Sequence, residues 1–193
     1  MKSVLISIRP KWTEKIASGE KTIEVRKTAP KEVPFKCYIY ETKGQYVKFT
    51  HGAHTKYGYG RGKVIGEFIC DKVICSQAYF DSQGKNHLTN VFPDDIKKTC
   101  LDEYDLWDYI AGKAVKANQM YDGYLWHISD LKIYDKPKEL SEFCIPCKVS
   151  CENCKNPLYF ECWCEEKGKK IVTRPPQSWM YVEDLGEEEW NLN

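Results

Sequence analysis

The feature that most constrains this chain is the way its apolar residues alternate with polar ones in short runs. The first such run extends from Val4 to Ile8, where every second residue is apolar, and Pro10 follows it. This period-two pattern predicts a strand with one buried face. Further runs rich in strand-forming residues cover residues 21–27, 35–42, 63–79 and 123–134. No apolar run approaches the ~20 residues that cross a bilayer, so we expect no membrane partner.

Two segments have helical periodicity instead. Trp12 and Ile16 lie four residues apart within residues 11–18, and a glycine follows as a natural C-cap. Residues 94–111 repeat apolar side chains at helical spacing, and Gly112 ends the pattern. Strands outnumber helices and do not alternate with them regularly. The sequence therefore predicts an α+β, mainly β fold with two helices, arranged as a small barrel rather than a doubly wound sheet.

Charge is distributed unevenly along the chain. Residues 1–63 carry 14 Lys and Arg against 5 acidic residues, whereas residues 64–193 carry 15 against 23, so that a net charge of +1 is divided into +9 and −8. This asymmetry predicts one basic surface, and basic surfaces attract phosphates. The alternative is a solvated lysine-rich surface with no ligand.

Four residues form a G-x-K-x-x-E-x-R pattern directly after the first predicted helix: Gly19, Lys21, Glu24 and Arg26. With this pattern, residues 7–26 resemble the ASCH family, a relative of the PUA domain. Residues 62–68 and 126–131 resemble two further strands of that family, in the same order. The longer chain is similar to phage or prophage ASCH proteins. The resemblance implies a PUA-like antiparallel β-barrel with a cleft near the first helix and second strand that accepts RNA or a modified base.

The residues in and near this segment suit nucleic-acid binding. Arg26 offers a planar fork of donors, and Glu24 on the same strand face could orient that fork or accept a bond from a base. Tyrosines alternating with basic residues over residues 38–63 suit base stacking beside phosphate contacts. The candidate binding residues are Arg9, Lys11, Lys21, Thr22, Glu24, Arg26, Tyr57, Tyr59 and Arg61. The alternative is an ion pair that only stabilises the mouth of the barrel.

Enzymatic activity is a second possibility. Similar small ASCH proteins are amidohydrolases acting on acetylated cytidine, and their proposed nucleophile is a Thr at the position of Glu24. Lys21 matches that motif, but Thr22 lies two residues, or roughly 6–7 Å, from the required position. If the chain is an enzyme, Lys21 and Glu24 are the candidate catalytic residues, with a third group from Glu67, Asp94 or Asp95. We expect no hydrolysis of acetylated cytidine. A third reading is a phage protein that binds a host factor.

Six of the ten cysteines crowd into residues 144–164. Two C-x-x-C pairs suit tetrahedral zinc, because each pair supplies two thiolates. The predicted ligands are Cys144, Cys147, Cys151 and Cys154, with Cys162 and Cys164 as substitutes. Two zinc ions, an iron–sulfur cluster or disulfides remain alternatives. The segment has too few apolar residues to fold alone, so metal would supply its folding free energy.

These patterns divide the chain into three parts. Residues 1–135 form the predicted ASCH-like barrel, residues 136–170 a zinc-binding insertion, and residues 171–193 a return strand and acidic tail. We expect the strand within residues 177–182 to pack back on the barrel. The N-terminal run is too short for a signal peptide. Together with the clustered cysteines, it predicts a soluble cytoplasmic protein.

Overall fold

The computed structural model describes residues 2–51, 54–112, 116, 119–146 and 170–186. Its strands are β1 (Lys2–Ile8), β2 (Ile23–Arg26), β3 (Phe35–Glu41), β4 (Gly44–His51), β5 (His54–Gly60), β6 (Val64–Cys70), β7 (Val73–Phe80), β8 (Asn86–Leu88), β9 (Met120–His127), β10 (Ser129–Lys138) and β11 (Trp179–Val182). Its helices are α1 (Pro10–Ala17), α2 (Pro93–Thr99) and α3 (Glu103–Ala111), and Leu140–Glu142 forms a 3₁₀ turn. The prediction of a mainly β, α+β fold is confirmed.

The strands form two larger sheets and one hairpin. The five-stranded sheet has the order β10-β6-β3-β1-β11, and the four-stranded sheet has the order β2-β9-β7-β8. Strands β4 and β5 pair only with each other among the described residues. The two strands pair antiparallel, with Gly44 opposite Gly60.

The main core lies between the two larger sheets. Alternate residues of β1 and β3 point into it, as the period-two pattern predicts, because successive side chains of a strand point to opposite faces. Trp126 of β9 is fully buried there, and its ring packs edge-on against Phe35 at 5.0 Å and Trp179 at 5.8 Å between ring centroids. The indole of Trp126 therefore joins β9 of one sheet to β3 and β11 of the other.

Three details of the predicted architecture are wrong. The described residues form no closed barrel, and β1 and β3 pair in parallel rather than antiparallel. Parallel pairing follows because β1 and β3 are joined by a crossover that includes α1 and β2, not by a hairpin turn. There are also three α-helices in the described residues, because the segment predicted as one helix over 94–111 divides at Cys100.

The break at Cys100 has a local cause. Cys100 has a φ of +58°, in the left-handed region, so α2 ends there. Asp102 then begins α3, since its carboxylate accepts a 2.7 Å hydrogen bond from the backbone N–H of Asp105. Apolar spacing continues across the break, which is why the periodicity alone predicted one helix.

The polypeptide returns to the five-stranded sheet near its C-terminus. Strand β11 pairs antiparallel with β1, with Trp179 opposite Ile6 and Val182 opposite Ser3. Before it, the backbone N–H of Val172 donates to the carbonyl of Phe143 at 2.8 Å, and the N–H of Ile145 donates to that of Lys170. The two stretches that flank residues 147–169 are therefore paired with each other. No helix in the described part of the chain is long and apolar enough to span a membrane.

Gly66 provides a test of the packing between β6 and β10. A Cβ atom at this position would lie 2.4 Å from the carbonyl oxygen of Lys132, which is backbone and cannot rotate away. We expect Gly66→Ala to lower the free energy of unfolding by about 2 kcal/mol, measured by urea denaturation. The comparison is Gly58→Ala, where the three atoms nearest to the added Cβ belong to the side chains of Tyr46 and Lys48 and not to the backbone. Equal losses in both variants would contradict this reading of the sheet.

Candidate functional site

A cleft of about 640 Å³ opens where the end of β1, the start of α1, strand β2 and helix α3 meet. Its volume lies within the range of pockets that hold small molecules and cofactors. The residues that line it are Ser7, Ile8, Arg9, Trp12, Lys21, Glu24, Val25, Arg26, Thr42, Leu101, Tyr109, Pro175, Pro176 and Gln177. The cleft thus combines charged groups from the G-x-K-x-x-E-x-R segment with walls from three distant parts of the chain.

Lys21 is anchored inside the protein. Its side chain is 4% exposed, and its ammonium group donates to the carbonyls of Ile23 at 2.7 Å and Thr99 at 2.8 Å. The carboxylate of Glu24 lies 3.3 Å away and is its third partner. An ammonium group has three hydrogens to donate, so these partners use all of them. Lys21 therefore holds β2 to the end of α2 and positions Glu24.

Glu24 lies between two cations. Its Oε2 faces Lys21, and its Oε1 lies 3.1 Å from a terminal nitrogen of Arg26. The carboxylate is only 6% exposed, and burying an ion pair without compensating partners would be costly. Strand pairing fixes its backbone, because Glu24 is opposite the buried Trp126 in the β2–β9 ladder.

Arg26 connects the same network to β1. Its terminal nitrogen also donates to the carbonyl of Ser7 at 2.6 Å. Burial tends to lower the pKa of the guanidinium, but Glu24 and the hydrogen-bonded hydroxyl of Tyr109 outweigh burial, and the pKa is raised. The Nε of Arg26 is buried and has no hydrogen-bond partner among the described residues. Such an unpaired donor is costly in a protein interior.

Aromatic and proline side chains form the walls. Trp12 packs against the main core, and its ring lies beneath the ammonium groups of Lys11, at 4.7 Å, and Lys21, at 5.4 Å. The C-terminal segment supplies another part of the wall. The hydroxyl of Ser7 holds it in place by donating a hydrogen bond to the carbonyl of Pro176 at 2.6 Å. The backbone N–H of Ser7 donates to Ser178 at 2.9 Å, which continues the pairing of β1 and β11.

The structure brings four of the predicted binding residues together in the cleft, namely Arg9, Lys21, Glu24 and Arg26. Lys11 and Thr22 are not among the lining residues. Of the third groups considered for catalysis, Glu67 accepts a 2.5 Å hydrogen bond from Tyr134, and neither Asp94 nor Asp95 lines the cleft.

The remaining predicted residues belong to the β4–β5 hairpin and the turn after it. Tyr57 and Tyr59 are 49% and 71% exposed, so both rings lie at the surface. The backbone N–H of Arg61 donates at 2.8 Å to Glu41, whose carboxylate also accepts from Thr13 of α1. The base of the hairpin is therefore tied to the helix that borders the cleft.

Sequence reasoning missed the walls of the cleft. Leu101, Tyr109 and residues 175–177 come from remote parts of the chain, and no local pattern connects them with Lys21. The sequence of residues 174–179 does not by itself indicate where this stretch packs.

The predicted zinc ligands are almost entirely outside the described residues. Cys144 is described: it is half-buried, and its backbone pairs with Ile171. Cys147, Cys151, Cys154, Cys162 and Cys164 lie within residues 147–169 and outside the description. Within the described ranges, no three His, Cys, Asp or Glu side chains form a group that could hold a metal ion.

Comparison with known proteins gives a fold but no close relative in sequence. No family model and no curated protein sequence matches the chain. Among solved structures, ASCH from Zymomonas mobilis superposes with a TM-score of 0.51, covering 94% of this chain and 88% of its own, at 17% identity. The chain has the ASCH fold. Two mutant structures of the Zymomonas mobilis protein give TM-scores of 0.49 and 0.47, at 17% and 15% identity, with coverage of 94% and 95% of this chain and 89% and 91% of theirs.

The ASCH fold confirms the resemblance inferred from the motif segments at the level of architecture, and it is compatible with the predicted PUA-like class. The cleft itself is lined by residues of the first helix and the second strand. At this sequence identity the likeness extends to the fold, so the chemistry of the cleft must be argued from its own residues.

The anchored position of Lys21 leads to a prediction about stability. Lys21→Met would leave the buried carboxylate of Glu24 with one cation fewer and two buried carbonyls without their donor. We expect a loss of about 3 kcal/mol in the free energy of unfolding, measured by urea denaturation. The control is Lys31→Met, the same substitution at an exposed loop position, which should change stability by less than about 0.5 kcal/mol. A small effect at Lys21 would mean that its three contacts are not formed in solution.

Proposed function

We propose that this protein binds RNA, or another single-stranded nucleic acid, and that one base or modified nucleoside enters the cleft. The observation that carries the proposal is the floor of the cleft, where Lys21, Glu24 and Arg26 form one buried network beneath aromatic and proline walls. A buried carboxylate and guanidinium held side by side present acceptors and donors to a ligand in a fixed geometry.

Each member of the network has a different role in this proposal. Lys21 positions Glu24 and does not itself contact the ligand, because its three hydrogens have protein acceptors. Glu24 keeps accepting capacity beyond its two ion-pair contacts, since a carboxylate can accept about four hydrogen bonds. Arg26 is held by Ser7, Glu24 and Tyr109, so its plane is fixed before a ligand arrives. An amino group on the edge of a base could therefore donate a hydrogen bond to Glu24.

The walls and rim suit a nucleotide. Trp12 and Tyr109 offer aromatic surface, and base stacking on such rings contributes about 1–3 kcal/mol per base. Arg9 is exposed at the mouth of the cleft, where a phosphate beside the bound base would meet it. Tyr57 and Tyr59 on the hairpin and Arg61 just after it could then contact the rest of the nucleic acid, because the base of the hairpin is tied to α1.

Binding accounts for this geometry better than hydrolysis does. In the amidohydrolase alternative, Lys21 and Glu24 would be catalytic, yet Lys21 is fully engaged with the protein and Glu24 is held between two cations. Thr22, the nearest hydroxyl in the motif, is not among the residues that line the cleft. We therefore assign the network to ligand recognition.

The test is binding of a labelled single-stranded RNA, followed by fluorescence anisotropy between about 50 and about 200 mM salt. Affinity should fall as salt rises, because phosphate contacts release counterions. Arg9→Ala should weaken binding at every salt concentration and reduce the salt slope by about 1. The control is Lys85→Ala, which removes one positive charge at an exposed position in the β7–β8 turn. Equal affinities in the two variants would refute the cleft as the binding site.

The same preparation distinguishes binding from hydrolysis. Acetylated cytidine incubated with the protein should be recovered unchanged. Release of acetate that disappears in Glu24→Gln would show that the amidohydrolase alternative is correct.

We also propose that the cysteine-rich segment binds one zinc ion with a structural role. The support is the donor set: cysteine thiolates are preferred zinc ligands, and four of them close the coordination shell. Cys144 stands at the start of this segment with its backbone fixed by the bridge to Ile171. The paired flanks would hold both ends of the segment close together around the metal.

Elemental analysis of protein prepared under reducing conditions should find one zinc ion per chain. Chelator and low pH should both release it, because the ligating thiols must be deprotonated to bind. The double variant Cys144→Ser/Cys147→Ser should lose metal. Cys75→Ser, at an exposed cysteine of β7, should retain it. Negligible metal in the wild-type protein would refute this proposal without affecting the one for the cleft.

A further inference from the structure

A second pocket, of about 210 Å³, lies between β8 and α3 and shares no lining residue with the cleft. It is lined by Asn86, His87, Leu88, Glu103, Tyr104 and Trp107. Pockets for small organic ligands usually measure about 300–1,000 Å³. The volume therefore suits a single inserted side chain better than a whole metabolite or nucleotide.

The walls of this pocket are aromatic and firmly held. Trp107 is 7% exposed, and its indole N–H donates to the carbonyl of Tyr79 at 3.0 Å. Tyr104, one helical turn earlier, stacks on Trp107 with ring centroids 6.4 Å apart, yet it is 64% exposed. His87 stacks on Tyr79 and is held by Asp81 at 2.7 Å. A large exposed ring over a fixed indole leaves apolar surface available to a partner.

The helix that borders the pocket is acidic. Residues 102–112 contain four carboxylates and no Lys or Arg. Glu103 lines the pocket directly, and Asp108 lies one turn after Tyr104 on the same helix. Phosphate groups would be repelled from such a surface, whereas a cation would be attracted both to the carboxylates and to the faces of the aromatic rings.

We propose that this pocket binds an arginine or lysine side chain of a protein partner. The cation would lie against Tyr104 and Trp107, with Glu103 as its ion-pair partner. Arginine suits the site best, because a planar guanidinium can stack on a ring and pair with a carboxylate at the same time. This interaction goes beyond nucleic-acid binding. It gives the protein a docking site for a basic protein segment, separate from the residues proposed to hold RNA.

The experiment is a titration of the full-length, ¹⁵N-labelled protein with a capped pentapeptide that contains two arginines. The matched probe is the same peptide with citrulline in place of arginine, which keeps the shape and removes the charge. The indole N–H of Trp107 reports on the pocket, and its resonance can be assigned with Trp107→Phe. We expect that resonance to shift with the arginine peptide and to stay in place with the citrulline peptide.

Variants at Tyr104 and Glu103 distinguish a contact between the cation and the tyrosine ring from general electrostatic attraction. Tyr104→Ser should weaken binding of the arginine peptide about two- to fivefold, which is the effect of one exposed cation–π contact. Tyr104→Phe should bind the peptide with the affinity of the wild type. Glu103→Gln should weaken binding as well. RNA affinity should be unchanged in Tyr104→Ser and in Glu103→Gln. The proposal is overturned if both peptides shift the resonance equally, if Tyr104→Ser and Glu103→Gln bind like the wild type, or if RNA shifts this resonance instead of the peptide.

Discussion

The buried carboxylate of Glu24 is the constraint on which the arrangement of the cleft depends. A charge removed from water is stable only if partners surround it, and here Lys21 and Arg26 provide them. Each of these cations is tied in turn to another element: Lys21 to the carbonyl that ends α2, and Arg26 to the carbonyl of Ser7 at the end of β1. The need to neutralise one charge therefore fixes three elements around the same point.

Under the proposed function, one network would serve both stability and recognition. The sequence also raised the alternative of an ion pair that only stabilises the fold. Lys21 does have a stabilising role, since it is anchored by its three contacts. Arg26 and Glu24 also line the cleft, and in the proposed function they are the members of the network that meet the ligand. Structural anchoring by Lys21 gives these two side chains the rigidity that a recognition site requires.

The two proposed binding surfaces follow the charge division of the chain. The cleft and hairpin come mainly from the basic first third, whereas α3 and its aromatic pocket belong to the acidic remainder. This division favours different partners at the two surfaces, because basic groups attract phosphates and acidic groups attract cations. A nucleic acid and a basic protein segment could then be bound at the same time.

The sequence by itself determined the strands of the main core and the charged residues of the candidate site. Period-two alternation predicted the strands of the main core, and the G-x-K-x-x-E-x-R segment predicted Lys21, Glu24 and Arg26 as a group, because these signals are local. Tertiary structure decided the rest. The break at Cys100 was hidden because apolar spacing continues through it, and the parallel pairing of β1 with β3 depends on a crossover. Tyr109 and Pro176 reach the cleft only through long-range packing, and the same packing turned Lys21 inward, where backbone carbonyls compensate its charge.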